Sequence, residues 1–205
     1  MKRKVFDKLA SVGGAIAVVA LVIAGALLLF GANFANNYVH NQLAQQNITF
    51  PPAAAFAHPV AGGEITPSMI PSVSQYAGQQ LLTGPQAEVY ANDFIARHLQ
   101  DIGQGKTYSQ LSSEAMALPK GSAAYTAAEA KAQTVFQGTT LRGLLLEAYG
   151  FSLIAAIAFW CAIAAFSLAA ILAALVVLGF VHARRTDESE ELMTNTHHGG
   201  AVATA

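Results

Sequence analysis

The chain is poor in charge and nearly free of cysteine. Only 11% of its 205 residues are Asp, Glu, Lys or Arg, against 54% hydrophobic, whereas a soluble globular domain carries about a quarter charged. A purely soluble domain is therefore a poor description of the whole chain. The formal net charge is -1, and no basic cluster is large enough to neutralise a run of phosphates, so no nucleic acid partner is expected. The one cysteine, Cys161, cannot close an internal disulfide, and in its apolar surroundings a thiol behaves as a small hydrophobe.

Reactive patterns are also missing. No Gly-x-Ser-x-Gly elbow presents a serine nucleophile. Gly105-Lys106-Thr107 matches the end of a phosphate-binding loop, but the glycine required five positions earlier is Gln100, so the motif fails and the segment reads as a loop with a solvated lysine. His40, His58 and His98 lie on separate segments without short ligand spacing. His58 and His98 with Glu64 are the best metal candidates, and even they form no recognisable set. No catalytic residue, metal or cofactor is expected from these patterns.

The apolar excess lies in two blocks, Leu9 to Ala32 and Ala148 to Ala183, both without Asp, Glu, Lys or Arg. A bilayer core about 30 Å thick needs roughly 20 helical residues, and both blocks qualify. Lys2, Arg3, Lys4 and Lys8 precede the first and Arg184 and Arg185 follow the second. Basic flanks resist translocation, so both termini are expected in the cytoplasm of a two-pass plasma-membrane protein. The first block is longer than the apolar stretch of a cleaved signal peptide, about 7–15 residues, and its exit lacks an A-x-A site. The second would reach about 54 Å as a straight helix, so its first part should project beyond the lipid, with Trp160 at the outer interface. Inside the spans the only Asp, Glu, Lys, Arg or His side chain is His182, at the inner edge, which argues against an ion or proton path.

Small residues recur at three-and-four spacing. Ala155, Ala158, Ala162, Ala165, Ala169 and Ala173 fall on one face of the second helix, and Gly13, Ala17, Ala20 and Ala24 on one face of the first. Such faces allow close helix approach, either between the two spans or toward other membrane proteins or a second copy.

The expected fold is all-α: a basic N-terminus (1–8), a first transmembrane helix (9–35), an extracytoplasmic helical domain (36–147), a long helix containing the second span (148–183), and an acidic cytoplasmic tail (184–205) predicted to be disordered. All prolines except Pro119 fall in the first half of the middle segment, which also holds Gly62-Gly63, so that half should be an irregular strap. Thr83-Gly84-Pro85-Gln86 is a capping box. It opens a helix through Tyr90, Phe94, His98 and Ile102 that Gly103 and Gly105 should stop. Shorter helices are predicted from about Tyr108 to Leu118 and from about Ala123 to Val135, the latter stopping near Gly138, with a new helix from Thr139.

The strings Tyr76-Ala77-Gly78-Gln79, Asn92-Asp93-Phe94-Ile95-Ala96-Arg97-His98, Gly105-Lys106-Thr107-Tyr108-Ser109 and Gly138-Thr139-Thr140-Leu141-Arg142-Gly143-Leu144-Leu145-Leu146 resemble a group of uncharacterised actinobacterial membrane proteins. The resemblance implies an envelope protein of a high-GC Gram-positive bacterium and assigns no functional residue. The leading expectation is a non-catalytic membrane subunit or scaffold. The alternatives are an envelope enzyme, perhaps metal-dependent, and a sensor signalling to the acidic tail.

Overall fold

A computed structural model describes residues 3–57, 59 and 65–185. Among the described residues, seven α-helices follow in order: α1 (Arg3–Gln46), α2 (Ala53–Ala57), α3 (Ile70–Val73), α4 (Gly84–Val89), α5 (Ala96–Gly103), α6 (Tyr108–Met116) and α7 (Ala123–Arg185). A 3-10 turn (Ser74–Tyr76) follows α3, and a π-helical turn (Tyr90–Ile95) joins α4 to α5. There is no strand among the described residues, only an isolated antiparallel bridge between Thr49 and Gln80. Both α1 and α7 are long and apolar enough to cross a membrane. The chain divides into two compact units, one of Met1–Phe30 with Phe159–Ala205 and the other of Gly31–Ala158.

The first unit is a pair of helical segments packed through small residues. A Cβ added at Gly14 would sit 2.6 Å from a Val176 methyl, and one at Gly25 would sit 3.0 Å from two atoms of the Phe166 ring. Ser11, Gly25, Ala162 and Ala169 are buried. Glycine is required because α1 and α7 approach closely where a side chain would intervene, the usual way membrane helices gain packing without a hydrophobic drive. Outside this seam, Leu9, Ile16, Val19, Leu27, Trp160, Ile171 and Leu178 are exposed.

A cross-link reads this register directly. Ser11 Cβ lies 3.7 Å from the Cβ position of residue 179, within the range of about 3.5–4.5 Å that a disulfide needs. With Cys161→Ser as background, Ser11→Cys with Gly179→Cys is expected to close a disulfide on mild oxidation, seen as a mobility shift on non-reducing gels. Gly13→Cys with Gly179→Cys should not, since nothing lies within 4 Å of a Cβ at Gly13. Equal cross-linking of both pairs would refute the register.

The second unit has a core drawn mostly from residues 39–95, with Leu145 added from α7. Val39 and Leu43 come from α1, Leu145 from α7, Ala87 and Val89 from α4, and Ala91, Phe94 and Ile95 from the π turn. The Pro-rich segment is not an extended strap: its described residues include α2, α3 and the 3-10 turn, and its Phe50, Met69, Val73 and Leu81 are the largest fully buried side chains among the described residues. Its ends meet in a short ladder, with Phe50 N–H donating to Gln79 O at 2.9 Å and Leu81 N–H to Ile48 O at 2.9 Å. Those bonds satisfy backbone groups that burial would otherwise leave unpaired. Phe50 packs on Tyr76 and edge-on to Tyr90, with centroids at 5.2 and 5.3 Å, and Tyr90 continues to Phe94 at 4.7 Å.

Helix starts follow the sequence closely and helix ends do so less well. Thr83 and Thr107 both form capping boxes, with Gln86 and Gln110. The stop after α5 is Gln104, in the left-handed region at φ 53°, followed by Gly105 at φ 76°, while Gly103 is itself helical. The break expected near Gly138 is absent, because α7 runs unbroken from Ala123 to Arg185. Gly138 is used for approach: a Cβ there would sit 2.5 Å from a Leu99 methyl of α5. Likewise α1 continues past residue 35 to Gln46.

Candidate functional site

The small-residue faces have different environments. Ala155, Ala162 and Ala169 are buried and Ala158, Ala165 and Ala173 half-buried, whereas Gly13, Ala17, Ala20 and Ala24 are exposed. The face of α1 turned to α7 is offset from the predicted one and runs through Ser11, Gly14 and Gly25. Sequence spacing alone does not separate these faces, since α1 is rich in small residues around its circumference.

At the start of α1 and the end of α7, Asp7 Oδ2 lies 3.7 Å from His182 Nε2. Asp7, Ser11, Gly14, Val176, Gly179 and His182 surround a cavity of about 240 Å³ there. Asp7 precedes the apolar block, and its i, i+4 relation to Ser11 was the available signal. Trp160 is exposed, with its ring edge-on to Phe159 at 5.8 Å. Arg184 and Arg185 are exposed in the last turn of α7; Lys4 is in the first turn of α1, which Arg3 opens. Lys2 lies outside the described residues.

In the second unit a hydrogen-bonded chain links α4, the π turn and α7. Asn92 Nδ2 donates to Glu88 Oε1 at 3.2 Å, and Arg142 Nη2 donates to Asn92 Oδ1 at 2.8 Å. The π turn, in which Ala96 N–H reaches back to Ala91 O, inserts an extra residue per turn and so resets the faces of the helix that follows. Arg142 Nε is buried without a partner. The guanidinium is thus held by its end, and it lines a cleft of about 560 Å³ with Lys106, Gln100, Thr107, Ser109 and Thr139. No acidic side chain is among the residues lining this cleft. Lys106 is exposed, and its Nζ contacts both carboxylate oxygens of Glu114 at 2.7 and 2.9 Å. The Arg142–Asn92 and Lys106–Glu114 pairings carry no sequence signal, because the partners stand 50 and 8 residues apart with no motif spacing between them.

His98 Nδ1 stands 2.8 Å from Phe94 O. A carbonyl only accepts, so Nδ1 carries the proton in this contact. Its Nε2 is buried without a partner, beside a largely apolar cavity of about 410 Å³ formed with Phe94, Ile102, Gln137 and Leu141. His58 and Glu64, the other metal candidates, lie outside the described residues. Among the described residues, no group of three or more His, Cys, Asp or Glu side chains could hold a metal ion. No protein-family model, no curated protein and no solved structure matches this chain.

Proposed function

We propose that the chain is a two-pass plasma-membrane protein with both termini in the cytoplasm, and that it acts as a non-catalytic subunit or scaffold by binding other membrane proteins or copies of itself. The basic residues outside both apolar blocks support this orientation, which displays the Gly31–Ala158 unit on the outer face of an envelope such as that of the actinobacterial proteins the sequence resembles. One observation carries the reading. The first helix has two small-residue faces, of which Ser11, Gly14 and Gly25 are occupied by α7, while Gly13, Ala17, Ala20 and Ala24 are exposed. The occupied face makes the helix pair, and the open face offers a second helix the same close approach.

The test is purification of the full chain in mild detergent. A multimer or a co-purifying membrane protein is expected, and Gly13→Leu with Ala20→Leu should disperse it while leaving the Ser11→Cys/Gly179→Cys cross-link intact. A monomer without any partner would sink the proposal.

A further inference from the structure

The cleft beside Arg142 gathers donors from three elements. Arg142 comes from α7, Lys106 from the loop after α5, and Tyr108 and Ser109 from the first turn of α6. The capping box accounts for two N–H groups there, Thr107 N–H donating to Gln110 Oε1 at 2.9 Å and Gln110 N–H to Thr107 Oγ1 at 3.4 Å. The N–H groups of Tyr108 and Ser109 precede the first intrahelical bond and are left for a ligand or solvent. They stand at the positive end of the α6 dipole. Two cations and a helix start make a site for negative charge, part of which the Glu114 carboxylate on Lys106 already supplies.

The shape of the donor set narrows the ligand. A carboxylate is planar and is satisfied by a single fork such as an arginine. Here the donors approach from separate elements, which suits a tetrahedral group with several acceptor oxygens. The Glu88–Asn92–Arg142 relay holds the guanidinium in place before any ligand arrives, reducing the ordering cost of binding. Glu114 occupies Lys106 at 2.7 Å, and both side chains are about half-exposed, 42% and 53%, so an incoming anion can displace it.

We infer that the cleft formed by Arg142, Lys106 and the start of α6 binds a phosphate group, carried by a small solute or by a lipid headgroup. This inference is independent of the helix-packing proposal, since every residue involved lies in the Gly31–Ala158 unit.

The test uses the full chain in dodecyl maltoside micelles and a phosphate-free buffer, titrated with inorganic phosphate and, separately, with a soluble short-chain phosphatidic acid. Saturable binding is expected. Lys106→Gln should weaken it about tenfold, in keeping with the loss of one charge-assisted hydrogen bond. Glu114→Gln should tighten it several-fold, because it frees the lysine. Both substitutions are at exposed side chains and leave the core untouched, and Arg142→Gln should weaken binding further. Binding of inorganic phosphate with this pattern supports a small phosphorylated solute, and the same pattern with phosphatidic acid alone supports a headgroup. Binding of neither probe, or binding indifferent to both Lys106→Gln and Glu114→Gln, would overturn the inference.

Discussion

Phe50→Ala is expected to destabilise the Gly31–Ala158 unit by about 3–5 kcal/mol, the usual cost of removing a buried phenylalanine. The ring is 1% exposed and packs on Tyr76 and Tyr90. Its backbone also closes the ladder to Gln79, so the cavity would open where the two ends of the Pro-rich segment meet. That loss is a large part of the total stability of about 5–15 kcal/mol typical of a domain. The expected readout is rapid protease cleavage of the segment between Asn47 and Leu82 in the variant, under conditions where the parent resists, with a lowered melting midpoint in detergent. Phe136, 45% exposed, provides the control, and Phe136→Ala should cost about 1 kcal/mol or less. Equal effects at the two positions would contradict the placement of the core.

The second large effect is expected at Gly84. This glycine opens α4 directly after the Thr83 cap and is buried. A Cβ there would overlap Ser152 Cβ on α7 and lie 3.4 Å from Tyr149 Cα. Ser152 Cβ is fixed to a long helix and cannot swing aside, so the conflict must be relieved by moving α4 or losing its cap. Gly84→Ala should therefore cost about 3 kcal/mol, the upper end for overpacking. Removing the opposing atom should undo most of this. Ser152→Gly alone should cost about 0.5–1 kcal/mol for glycine within a helix, and Gly84→Ala with Ser152→Gly should be more stable than Gly84→Ala alone. Such non-additivity is the signature of direct contact. Simple addition of the two losses would mean that α4 and α7 do not meet at this point.

These positions also show how far the fold could be read from residues alone. The capping boxes at Thr83 and Thr107 were legible because the signal is local: a hydroxyl and an amide three positions apart. The two apolar helices were legible from length and composition. Gly138 was misread because a glycine that ends a helix and one that admits a neighbouring side chain look the same in one dimension, and only the position of Leu99 distinguishes them. In the Pro-rich segment, proline and glycine mask the short helices α2 and α3, and periodicity cannot show that Phe50, Met69 and Leu81 sit at the centre of a core. The cleft was least legible. Lys106 and Arg142 are separated by α6 and the first turns of α7, and what brings them together is the crossing of α5 over Gly138, a tertiary event without a sequence motif.

The core of the Gly31–Ala158 unit takes Val39 and Leu43 from its beginning and Leu145 from near its end. Most of the cluster lies within residues 39–95, so a ribosome completes that part early, and only the seat of Leu145 waits through the intervening hundred or so residues, a separation that slows folding. A product truncated before Leu145 therefore carries most of the cluster and lacks the buried leucine with which α7 closes it.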